Sequence, residues 1–192
     1  MMKDTYLIVG LGNMGPKYAH TRHNAGFDVM ERLENKLNIR TRKKLFFPGE
    51  LAETDVDGKR VILCRPTTFM NKSGECVRLL MRKYGCLPEK MIVIYDDIDL
   101  PPGRVRIRKD GGPGTHNGMR SIVECTGRTD FPRIRVGTGD RPAGEDLVKW
   151  VLGRYSPEEK NVMDAAFDRA AESALSWVRD GINAAMNAGN RK

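Results

Sequence analysis

The chain of 192 residues contains no run of about 18 apolar residues, so nothing in it predicts a membrane-spanning helix. Its opening, MMKDTYLIVG, lacks the long apolar segment and small-residue cleavage site of a secretory signal. The expectation is a cytoplasmic protein. Cysteine is sparse. Cys64, Cys76, Cys86 and Cys125 form no C-x-x-C pair and match no zinc framework, and the two in apolar periodic segments read as buried free thiols. Asn71-Lys72-Ser73 has the form of a glycosylation sequon, but without a secretory signal it reads as chance. G-x-S-x-G is absent, so no serine nucleophile is evident. Histidine is scarcest of the chemistry-bearing residues: only His20, His23 and His116.

What is present suits one domain spanning 1–192. Lys and Arg outnumber Asp and Glu by 33 to 25, a formal charge of +8, which suggests an anionic partner, nucleic acid first. A generally basic, soluble surface is the bland alternative. YLIVG (6–10) and MIVIY (91–95) are short continuous apolar runs and predict buried strands. GELAETDV and RVILC flank Asp57-Gly58 and predict a hairpin. VRIRK (105–109) alternates, with one wet, basic face, and RIRVGTG (133–139) predicts the final strand.

Between these runs the period is helical. Phe27, Met30, Leu33 and Leu37 form one stripe, Cys76, Val77, Leu80, Met81 and Tyr84 another, and a further helix is predicted near 117–126. Ser156-Pro157-Glu158-Glu159 carries an N-cap, a first-turn proline and a capping-box glutamate, ahead of the stripe Met163, Ala166, Phe167, Ala170, Ala174, Trp177 and Val178. The expected fold is α/β: a twisted mixed sheet flanked by helices, with a helical C-terminal segment.

GLGNMG (10–15) satisfies the dinucleotide-binding pattern after a strand. That pattern needs a helix N-terminus at its third glycine, facing pyrophosphate. Here Pro16, Lys17 and Tyr18 follow, and helical periodicity begins only near Asn24. Residues 31–37, where a ribose-binding acid on a second strand belongs, still read as helix. Nicotinamide binding is therefore a secondary reading. The glycines are better suited to a sharp bend over a cleft, with Asn13 at its tip.

The polar residues gather where strands end. Asn13 follows the first strand, His23 and Asn24 close the same loop, and Phe69, Met70 and Asn71 follow the third strand. Asp96, Asp97 and Asp99 follow MIVIY, and His116 with Asn117 opens a helix. Ligands in α/β sheets collect beyond the carboxyl ends of strands. An imidazole can take a proton from water near neutral pH, a carboxylate such as Asp96 can fix its tautomer, and asparagine amides can read a peptide backbone or steady an oxyanion. The inventory points to water-mediated hydrolysis of an acyl compound. Each residue also has a structural reading: His23 or His116 as helix caps, His20 as an exposed loop residue, Asp96 and Asp99 as turn formers, Asn71 or Ser73 as an N-cap, Phe69 as core, and Arg106 and Arg108 as solvated strand residues.

Four blocks in order, LIVGLGNMGPKYAHTRHNAGF, PTTFMNKSGE, YDDIDLPPGRVRIR and GTHNGMRSI, resemble bacterial-type peptidyl-tRNA hydrolase from Tyr6 to the C-terminal helix. The resemblance implies cleavage of the ester between a peptide and tRNA, thereby recycling tRNA. It also implies one α/β domain, usually monomeric, with no metal or organic cofactor and no membrane. It implies that His23 of TRHN is the general base, that Asp96 supports it, and that Asn13 helps distinguish blocked amino ends. Tyr18, Phe69, Asn71 and Asn117 match positions contacting the peptidyl-tRNA end, and Arg106, Arg108 and Arg135 match positions facing tRNA phosphate. The chain departs from the family pattern at Met14, where proline is usual, at Thr115, where glycine is usual, and at Pro113 in the same loop.

Overall fold

Strand β1 (Thr5–Gly10) runs down the middle of a seven-stranded sheet, parallel to β4 (Lys59–Pro66) on one side and β5 (Met91–Asp97) on the other. The computed structural model describes residues 4–191. Beyond β4 lie β3 (Gly49–Val56) and the two-residue β2 (Arg42–Lys43), both antiparallel to their neighbours. Beyond β5 lie β7 (Arg133–Gly137), parallel, and the antiparallel edge β6 (Val105–Arg108). The order is β2-β3-β4-β1-β5-β7-β6, so the sheet is mixed, as the hairpin predicted. Asp57 and Gly58 both have positive φ in the β3–β4 turn, the conformation a two-residue hairpin requires.

Helices cover both faces. α1 (Ala25–Leu37), α5 (Pro157–Asp180) and α6 (Ile182–Gly189) pack on the face carrying Ile8, Ile92, Ile94 and Ile134. α2 (Ser73–Tyr84) and α3 (Asn117–Thr126) cover the face carrying Leu7, Val9, Val93 and Tyr95. The strict alternation of β1 and β5 between the two cores explains their unbroken apolar sequence. A short α4 (Leu147–Val151) precedes α5. The capping box at Ser156 forms as read: its hydroxyl accepts from the Glu159 N–H, and the Glu159 carboxylate accepts from the Ser156 N–H.

The first glycine loop serves packing. A Cβ at Gly10 would collide with the Met30 side chain and the Gly26 carbonyl, and one at Gly26 would meet the Leu11 and Ile94 backbone. The two glycines let α1 press against the ends of β1 and β5. No helix starts at Gly15; a run of turns leads to a 3-10 turn (Arg22–Asn24) and only then to α1. The geometry needed to hold pyrophosphate is missing from this loop. Cys64, Cys76 and Cys86 are buried and Cys125 is half-buried, all four as free thiols. Among the described residues, no helix is long and apolar enough to cross a membrane.

Candidate active site

Asp96 lies in β5 rather than in the turn after it, and it is 3 % exposed. Two imidazoles reach it. His23, in the 3-10 turn before α1, places Nδ1 3.0 Å from Asp96 Oδ1 and 3.2 Å from Oδ2. His116, at the N-cap of α3, places Nε2 2.9 Å from Asp96 Oδ1. The Met119 N–H donates to His116 Nδ1 at 3.3 Å. That bond fixes the His116 tautomer: the ring proton is on Nε2 and is donated to Asp96. The capping role considered for His116 is therefore real, and it serves a second contact that the sequence reading missed. The Asp99 turn role passes to Asp97, whose Oδ1 accepts from the Asp99 N–H.

The electrostatics follow from this crowding. Burial alone would push the Asp96 carboxyl up, but the two imidazoles hold it well below the usual carboxylate range. Asp96 is thus an anion able only to accept, so His23 Nδ1 carries the ring proton and Nε2 keeps its lone pair. Burial lowers the His23 pKa, and the Asp96 charge and hydrogen bond outweigh it, leaving the imidazole above its ordinary value. Among the described residues, Nε2 has no hydrogen-bond partner. An imidazole held in this way can take a proton at one defined atom.

His23, Asp96, His116 and Asn117 line one cleft of about 300 Å³, with the 110–115 loop, Arg108, Arg133, Arg135 and the α4 residues Leu147, Val148 and Val151 forming its other walls. Pro113 and Thr115, two of the departures from the family pattern, sit in this wall. Asn13 is buried and does not line this cleft; it lines a separate hollow with Asn24, Phe27 and Asp28. Its N–H donates to Asn24 Oδ1 at 2.9 Å, and Asn24 Nδ2 donates back to the Asn13 carbonyl at 2.9 Å. The Met70 N–H donates to Asn13 Oδ1 at 2.8 Å, which leaves the Asn13 Nδ2 as the donor it can offer. This chain of bonds joins the glycine loop, the His23 turn and the Phe69–Asn71 segment.

Phe69 is 65 % exposed, so it is not core, and Asn71 is exposed within a 3-10 turn (Met70–Lys72). Neither Asn71 nor Ser73 caps α2 through its side chain; the Ser73 hydroxyl donates to the Met70 carbonyl. Tyr18 is half-buried in the turns after Gly15 and is not a wall of the His23 cleft.

The arginines form a face. Arg106 is paired in register with Arg135, and Arg108 with Arg133, so all four project from the same side of the β6–β7 ladder. Val105 and Ile107 turn the other way, into the core. Arg108 is exposed and Arg106 half-buried, while Arg135 is ion-paired with Asp97 and Arg133 is buried against the carbonyls of Gly112, Thr129 and Phe131.

The family model described as peptidyl-tRNA hydrolase matches residues 7–192. The chain belongs to the peptidyl-tRNA hydrolase family. A peptidyl-tRNA hydrolase of Halalkalibacterium halodurans is 48% identical over 185 residues, 96% of this chain and 99% of its own. One from Syntrophomonas wolfei is 45% identical over 184 residues, again 96% and 99%. The crystal structure of the Acinetobacter baumannii peptidyl-tRNA hydrolase superposes with a TM-score of 0.92 at 37% identity, covering 99% of this chain and 96% of that one. A 5'-methylthioadenosine nucleosidase of Arabidopsis thaliana reaches a TM-score of 0.52 at 10% identity, a likeness of fold alone. Membership makes the chain a peptidyl-tRNA hydrolase of translation, in place of the oxidoreductase that the glycine pattern suggested.

Proposed function

We propose that His23 is the general base of this hydrolase: its Nε2 takes a proton from a water as that water attacks the ester carbonyl joining the peptide to the terminal ribose of tRNA. Asp96 holds the ring in the reactive tautomer and stabilises the imidazolium that forms. His116, donating to the same carboxylate, keeps Asp96 ionised and fixed. Asn13 Nδ2 donates to the developing oxyanion or to the blocked amino end of the peptide, and Asn71, Asn117, Phe69 and Tyr18 contact the peptidyl-tRNA end. The product is free tRNA, recycled from prematurely released peptidyl-tRNA.

The observation that carries this reading is the buried Asp96 shared by two imidazoles, with His23 Nε2 left without a partner among the described residues at a cleft. The arginine face of β6 and β7 supports a tRNA phosphate contact through Arg106, Arg108 and Arg135, which adds affinity without sequence readout. We take the chain to act as a cytoplasmic monomer, one unit over 1–192, although residues 1–3 and 192 lie outside those described.

General-base catalysis contributes about 10²–10⁴-fold. His23→Ala should fold normally, with unchanged circular dichroism, and lose hydrolysis of an N-blocked aminoacyl-tRNA such as diacetyl-lysyl-tRNA by about that factor. A parental rate in the variant would rule the assignment out.

A further inference from the structure

A second group of ligating side chains lies on α1 and in the loop before it. Asp28 and Glu31 are three residues apart on one helical face, and His20 reaches them from the loop. His20 Nδ1 is 2.8 Å from Asp28 Oδ1, and the ligand atoms of the three residues all lie within 4.8 Å of one another. Asp28 is only 7 % exposed, and its Oδ2 is buried with no hydrogen-bond partner among the described residues. Burial pushes its carboxyl up to about 6, against the pull of His20.

The same residues line a cleft of about 600 Å³ whose far wall includes Tyr155, Met163 and Phe167. The Tyr155 hydroxyl there is also buried without a partner among the described residues. Native proteins seldom leave a buried carboxylate oxygen unsatisfied, and what an anionic oxygen lacks is a cation or a donor. Arg32, which lines this cleft with Arg154 and Lys160, is already committed: it donates to Asp164 at 2.7 Å.

We propose that His20, Asp28 and Glu31 bind a divalent first-row transition ion of the zinc class. One imidazole nitrogen and two carboxylate oxygens match that class, whereas magnesium and calcium favour oxygen alone. Three protein ligands leave the fourth position of a tetrahedral ion open to the cleft. The group formed by His23, Asp96 and His116 is the poorer ligand set. Both imidazoles there donate N–H to Asp96, and the remaining His116 nitrogen accepts from Met119. The His20 side chain, in contrast, is 69% exposed, and a tautomer shift that moves its Nδ1 proton, now shared with Asp28, to Nε2 would free a lone pair for an ion. The site shares no ligand with the proposed catalytic group.

Titration of the purified chain with Co²⁺, read by visible absorption and calorimetry, should reveal one saturable site from which Zn²⁺ displaces cobalt. His20→Ala, a change on an exposed side chain, and Asp28→Asn should each abolish it, and Glu31→Gln should weaken it at least about tenfold. His116→Ala should keep it. The proposal is overturned by an absence of saturable binding, by binding that survives both His20→Ala and Asp28→Asn, or by loss of binding in His116→Ala, which would put the ion at Asp96.

Discussion

Asp96 and Asp28 are both buried carboxylates beside a histidine, yet their environments drive them in opposite directions. Asp96 receives two imidazole N–H bonds and stays ionised far into acid. Asp28 receives one, keeps an unsatisfied oxygen, and is raised to about 6. The folded Asp28 therefore binds its proton more tightly than the unfolded chain does. Its ionisation costs stability in full above about pH 6, and not at all below its ordinary value near 3.8. In metal-free buffer, Asp28→Asn should raise stability at pH 7.5 by up to about 3 kcal/mol. The gain should shrink to nothing as the pH falls below the ordinary carboxylate range. Urea unfolding at both pH values checks this, and an equal effect at both would remove the electrostatic account. At this scale the sequence was only partly legible. His23 and Asp96 could be paired by chemistry, but nothing in the spacing shows that His116 meets the same oxygen across the sheet. The burial of Arg22 and Asn24 was equally hidden, because arginine and asparagine are usually found on surfaces.

Arg22 shows how elements are tied together. Its guanidinium donates to both oxygens of Glu159 at 3.0 and 2.8 Å and to the Arg154 carbonyl at 2.6 Å, and it stacks 3.8 Å over the Trp150 ring. Its backbone N–H donates to the Gly153 carbonyl. One side chain thus fastens the His23 turn to α4 and to the capped start of α5. Removing one partner of such a buried pair typically costs about 3–5 kcal/mol. Glu159 is partly exposed, so Arg22→Leu should fall near the lower end in denaturant unfolding, with faster amide exchange across α4. Unchanged α4 exchange would show that the helix is held by something else. The elements themselves were largely readable: MIVIY, the Asp57-Gly58 hairpin and the Ser156 capping box appear where their local chemistry put them. The two-residue β2 was not, since so short an edge leaves no period. Nor could periodicity reveal that β6 would insert beyond β7, because strand order depends on long-range pairing.

At the scale of the whole molecule, part of the excess of +8 lies on one face, where Arg106 and Arg108 project from β6 beside the ion-paired Arg135 and the buried Arg133. The carboxyl ends of β1, β4 and β5 present the asparagines and the histidine pair, while the β6–β7 edge presents arginines beside them. A substrate that is peptide at one end and polyanion at the other fits that division. Arg106→Ala with Arg108→Ala should weaken tRNA binding and flatten its dependence on salt by up to about two ion equivalents, because fewer counterions are released. An unchanged slope in a binding titration would put the RNA on another face. The charge alone could not separate a nucleic-acid contact from a soluble basic surface; the register Arg106 to Arg135 puts arginines on one side of the β6–β7 ladder, and the binding titration decides between the two readings. That register lies in the backbone pairing, not in the composition.

The central claim is that a carboxylate-supported imidazole sets the reaction's proton transfer, and the pH dependence of kcat/KM tests it most directly. The Asp96 charge raises His23 against the lowering effect of burial, so the wild-type rate should climb with pH through a limb lying above the ordinary imidazole value of about 6.5. In Asp96→Asn the raising charge is gone and burial remains, so the limb should move to lower pH while the plateau rate falls. An unshifted limb in Asp96→Asn, or a plateau equal to that of the parent, would contradict the account.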